Sequence, residues 1–163
     1  MNIDEIGVIL KKFASNMIGF QGIALVNSGG KPITTIGIDD NSALIMAGTM
    51  IYLANRTRKE AQWEGVEQIE VKGTDGYVIL TTCSPDVFLL VIASKVPEGM
   101  LLVDINRTVD KLKAVLKEED SDTTDSKQTK LQESISEMTN SEMTNKDGKI
   151  SRALMYRGNK IPE

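Results

Sequence analysis

The sequence predicts an α+β domain in which one antiparallel sheet carries helices on both faces. Three observations lead there. Apolar residues recur at helix or strand spacing in the order helix, two strands, helix, three strands, helix, with turns between strands too short for crossovers. Val87 to Ala93 is an unbroken run of seven apolar residues, as in a central strand covered on both faces. Ala43 to Ala54 is apolar except at Gly48 and Thr49, yet its twelve residues fall well short of the about 20 that span a bilayer.

Each element has its own justification. Asn2 with Glu5 three places on forms a capping-box start, and Ile3, Ile6, Leu10, Phe13 and Met17 keep helical spacing over residues 3–17. Gly19 and Gly22 end that helix. Ile23 to Val26 reads as a buried strand, Asn27 to Gly30 as a hairpin turn, and Ile33 to Ile36 as a second strand whose leading Pro32 suits a sheet edge. The apolar helix follows, with Asn41 and Ser42 able to cap it and an expected end near Lys59. Trp63 and Gly65 mark a connection. Glu67 to Lys72 alternates with period two, as a half-exposed strand does. Gly73 to Gly76 turns into the strand Tyr77 to Thr82, and Ser84 to Asp86 turns into the seven-residue run. Pro97 to Gly99 breaks the chain before a last helix lined by Ile105, Val109, Leu112 and Leu116. These elements amount to about 115 residues, enough to bury roughly two thirds of their surface.

After Lys117 the character changes. Residues 118–149 form an acidic, polar segment without an apolar period, which reads as a disordered linker. It contains Ser136 to Asn140 repeated at once as Ser141 to Asn145, too short and polar for a solenoid. Residues 150–163 form a short basic tail containing Leu154, Met155 and Tyr156, equally readable as a docking segment or a solvated end.

Composition narrows the chemistry. The chain has no histidine and one cysteine, Cys83, which removes His-dependent nucleophile pairs, an intrachain disulfide and thiolate metal clusters. Cys83 ends a strand without basic neighbours to activate it. Net charge is −4, with 12 basic and 13 acidic side chains in residues 1–117, so the domain lacks the cationic excess that nucleic acid requires. No apolar stretch suggests a signal peptide or a membrane span, and cytoplasmic residence is the expectation. Gly29-Gly30-Lys31-Pro32 lacks the first glycine, the hydroxyl residue and the helix of a phosphate-binding loop. Arg56 and Arg58 are expected at a helix C-terminus on dipole grounds, with an arginine finger as the alternative. Asp39 and Asp40 precede a helix start, where anions are stabilised, and Glu64, Glu67 and Glu70 read as solvated. No catalytic set, metal site or cofactor site emerges, and the chain reads as a non-enzyme.

The apolar helix is the most informative segment. Ala43, Ala47, Met50 and Ala54 form one stripe, Leu44, Gly48 and Ile51 another, and Met46 and Leu53 a third. A helix on one sheet needs one apolar stripe. The surplus calls for a second surface, a partner subunit, with burial under the chain's own loops as the alternative.

Taken together, Ile18 to Val26, Gly30-Lys31-Pro32-Ile33, the helix 43–54, Val66 to Tyr77 with its Asp75-Gly76-Tyr77, Leu89-Leu90-Val91 and Gly99 to Leu102 resemble the Roadblock / dynein light chain domain family, over residues 3–117 and in the family's order. The resemblance implies a profilin-like (Roadblock/longin-type) five-stranded antiparallel sheet of order 2-1-5-4-3, with one helix on one face and two on the other. It also implies a homodimer in which middle helices pack together and third strands pair across the axis. The expected seam is Met46, Met50, Ile51 and Ala54 with Glu67, Ile69 and Val71. Small residues Ala43, Ala47 and Gly48 would let helix backbones approach. The implied function is a dimeric adaptor that binds a small Ras-like GTPase and bears on its GTP hydrolysis. A scaffold subunit without a GTPase and a small-molecule sensor are the alternatives, the latter needing a roomy pocket where the dense apolar runs predict a filled core.

Overall fold

The computed structural model describes residues 1–118. The linker and tail expected over 118–149 and 150–163 lie outside the described residues, apart from Glu118, which is helical.

Asn2 caps α1 (Ile3–Asn16) as its spacing predicts: its side-chain oxygen accepts from the Glu5 N–H at 3.2 Å, and its amide donates back to the Glu5 carboxylate at 3.3 Å. The chain then forms β1 (Phe20–Asn27), β2 (Pro32–Ile36), α2 (Asp40–Ala61), β3 (Gln68–Lys72), β4 (Gly76–Ser84) and β5 (Val87–Ser94). A last helix, α3, occupies residues 98–118. All strand pairings are antiparallel, in the order β2-β1-β5-β4-β3. The seven-residue apolar run thus sits in the middle of the sheet, and the alternating strand β3 sits at an edge.

Strand alternation divides the interior into two cores. Ile23 and Leu25 of β1, Tyr77 and Ile79 of β4, and Leu89 and Val91 of β5 point to the face covered by Ile6, Leu10 and Phe13 of α1 and by Leu101, Ile105 and Leu112 of α3. Their neighbours Ala24, Val26, Leu80 and Leu90 point the other way, against Ala43, Ala47, Met50 and Ile51 of α2. One helix therefore lies on one face and two on the other.

The start of α2 differs in detail from the sequence expectation. Asp39, rather than Asn41 or Ser42, is the cap; its carboxylate accepts from the Ser42 N–H at 2.9 Å and the Ser42 hydroxyl at 2.6 Å. Those two donors hold the Asp39 carboxyl below its usual 3.8. The hairpin turn between β1 and β2 presses on this helix. Gly30 has φ +80°, and a Cβ there would lie 2.7 Å from the Gly48 Cα. The close backbone approach at Gly48 inside the subunit is made by that turn.

Candidate interaction surface

α2 carries more apolar surface than the sheet can cover. At 100° per residue, Ala43, Ala47, Met50 and Ile51 share the inward side, and all four are buried. The outward side is also apolar: Leu44, Ile45, Tyr52 and Leu53 are 41%, 59%, 70% and 51% exposed. Such a row on a 22-residue helix has no partner within the described subunit. Met46 and Ala54 lie at the margin, half-buried.

Of the residues expected at the seam, Ala43, Ala47, Met50 and Ile51 are buried in the domain's own core beneath α2. Gly48 is half-buried, and an added Cβ there would meet nothing within 4 Å. Ile45 and Tyr52, which reach outward, are not among the residues expected there. Their helical spacing was visible, but a helix apolar on every side gives no polar face from which to tell inside from outside.

β3 supplies the other half of the surface. It pairs only with β4, so its outer N–H and C=O groups are unpaired within the sheet. Ile69 is half-buried and packs toward the α2 side, and Val71, two residues on and hence on the same face, is 51% exposed. Glu67 is exposed just before β3, and its carbonyl accepts from the Thr82 N–H at 2.9 Å. The edge strand is tied to the start of α3, where the Lys72 ammonium lies 3.0 Å from the Glu98 carboxylate and 5.6 Å from the centre of the Tyr77 ring.

Five strands in the order β2-β1-β5-β4-β3, α2 on one face, and α1 with α3 on the other match known solved structures. A Roadblock/LC7 domain from Streptomyces avermitilis superimposes with a TM-score of 0.60 at 17% identity, over 68% of this chain and 96% of that one. MglB from Myxococcus xanthus gives 0.61 at 18% identity, over 72% and 91%. The gliding protein MglB from Thermus thermophilus gives 0.62 at 12% identity, over 71% and 90%. The chain has the Roadblock/LC7 fold. No protein-family model and no curated protein matches its sequence.

Within the Roadblock/LC7 fold of this chain, the charged candidates are occupied locally. Arg56 pairs with Glu60 at 2.9 Å on the exposed side of α2, and Arg58 Nη1 donates to the Glu64 carbonyl at 3.5 Å, fastening the end of the helix to the next loop. Asp39 caps α2, and Asp40 accepts from the Thr35 hydroxyl at 2.9 Å. Glu70 is half-buried on the edge strand β3. Cys83 is buried, and desolvation pushes its thiol up to about 12, so it is protonated and a poor nucleophile at neutral pH. Among the described residues no group of three or more His, Cys, Asp or Glu side chains converges as a metal site would, and no helix is long and apolar enough to cross a membrane.

Proposed function

We propose that this chain is a cytoplasmic, non-enzymatic adaptor that forms a homodimer and binds a small Ras-like GTPase, acting on that partner's GTP hydrolysis. The observation that carries the reading is the apolar outer side of α2 together with the open outer edge of strand β3. Two copies related by a two-fold axis bury both features at once: strand pairing satisfies the edge, and helix packing covers Ile45, Tyr52 and Leu53. Self-association also has support from the fold, since an MglB that superimposes with a TM-score of 0.62 has been solved in a tetrameric arrangement. The GTPase part of the proposal rests on the family resemblance of the sequence together with the shared fold. Regulation rather than catalysis is supported by Gly29 to Pro32, which lacks the pattern of a phosphate-binding loop; that loop and the Mg²⁺ that GTP hydrolysis needs would come from the GTPase itself.

The test is capture of the small Ras-like GTPases encoded in the same genome, each loaded with GDP or with a non-hydrolysable GTP analogue. The expected result is binding of one of them in a nucleotide-dependent manner. A well-formed dimer that captures none of them in either state would replace the regulator with a scaffold.

A further inference from the structure

On the face of the sheet opposite α2, α1 and α3 lie side by side with a trough between them. Its middle, about 390 Å³, is floored by Phe13 and Met17 and banked by Lys12 from α1 and by Arg107 and Lys111 from α3. Asp104 is the one acid on this lining, and none of the three cations has an ion-pair partner among the described residues. Toward the end of α1 the trough turns apolar. There a pocket of about 230 Å³ is lined by Met17, Ile18, Val96, Pro97, Met100 and Leu101, with Asn16 and Asp104 shared with the middle of the trough. Ile18 is 78% exposed and Met100 62%, so large apolar side chains stand in water at the pocket's rim.

We infer that this trough docks an amphipathic, acidic helix of a partner protein, with one apolar side chain in the Met100 pocket and carboxylates on Lys12, Arg107 and Lys111. The long, concave shape favours a helix, as grooves between paired helices do. The charge decides its character: three unpaired cations against one acid select acidic side chains and repel basic ones. The spacing fixes a register. From Met100, Arg107 lies about 10 Å and Lys111 about 16 Å along α3, so a helix lying alongside α3 would carry acids about seven and eleven residues from its apolar anchor. The trough lies across the sheet from α2 and is therefore independent of the subunit interface proposed above. A domain with both surfaces would join two partners on opposite faces.

The experiment uses the full chain and a panel of fluorescent helical peptides of about 20 residues, each with a Leu, Met or Phe anchor and Glu at the seventh and eleventh positions after it, read by anisotropy. A matching panel carries Lys at those positions. The expected result is binding by acidic members only, weakened by salt. The double variant Lys12→Glu/Arg107→Glu should lose roughly tenfold or more in affinity and should bind the Lys-bearing panel instead, while its melting temperature stays put. Met100→Asp should weaken the acidic panel without reversing its charge preference. Failure of every acidic peptide, or equal binding of both panels, would overturn the inference. Binding to phosphatidylserine vesicles that the double variant loses, with no peptide bound, would overturn it in favour of a membrane surface.

Discussion

The two sides of α2 should respond in opposite ways to the same chemical change. Met50 is buried against Ala24, Val26, Leu80 and Leu90. Truncating such a side chain costs about 2–5 kcal/mol, and an unpaired carboxylate in its place adds several more. A domain of this size is stable by roughly 5–15 kcal/mol, so Met50→Glu should leave a chain with no cooperative transition, or one melting far below the wild type. Ile45 and Leu53 are 59% and 51% exposed, and within the subunit their replacement should cost no more than about 0.5 kcal/mol each. In a two-fold dimer each half-exposed side chain is buried once per copy. With about 1.5–3 kcal/mol for a full burial, four half-burials amount to roughly 3–6 kcal/mol. Ile45→Glu/Leu53→Glu should therefore raise the dimer dissociation constant by about two to four powers of ten. Circular dichroism with thermal melting reads the fold, and sedimentation equilibrium reads the association. A Met50→Glu protein that melts normally, or an Ile45→Glu/Leu53→Glu protein that dimerises as tightly as the wild type, would refute the assignment of inner and outer faces.

Three further outcomes are expected. Gly30→Ala should destabilise the domain by at least about 1–2 kcal/mol from its left-handed φ alone, with the contact on Gly48 in addition. Gly48→Ala, whose Cβ meets nothing, should be neutral or stabilising by up to about 1 kcal/mol; urea titrations of both variants check the signs. Cys83 should resist iodoacetamide at pH 8 until denaturant is added. Because its folded value of about 12 lies above the ordinary 9.0, its contribution is intact below pH 9 and is lost between pH 9 and about 12; Cys83→Ala should show a shallower decline in that window. Asp39 has the reverse sign: its carboxyl is held low in the fold, so its contribution is present above pH 3.8 and disappears as the pH falls through the lowered value. Asp39→Asn keeps a capping residue and should lose less melting temperature than the wild type on acidification below pH 4.

Much of the fold was legible because several local patterns are unambiguous, whether from a polar side, a short unbroken apolar run or a capping pair. The period-two alternation of Glu67 to Lys72 marked an edge strand, the unbroken Val87 to Ala93 marked the centre, and Asn2 with Glu5 marked the start of α1. The cap of α2 moved from Asn41 and Ser42 to Asp39 because several adjacent residues can cap and the choice depends on where the preceding loop delivers the chain. The orientation of α2 was not legible. Ala43, Met50 and Leu53 look alike in a helix without a polar side, and only the position of Ala24, Val26 and Leu90 beneath it determines which turns inward. The trough between α1 and α3 depends on how two helices are spaced across the sheet. Its trace in the sequence was Val8, Ile18 and Met100, apolar residues set off the buried stripes.

The mass of the full chain in dilute solution tests the central claim most directly. Size-exclusion chromatography with light scattering at low micromolar concentration should report twice 17.9 kDa, falling toward the single-chain value for Ile45→Glu/Leu53→Glu. A wild-type protein that elutes as one folded chain of 17.9 kDa at every concentration tried would contradict the account.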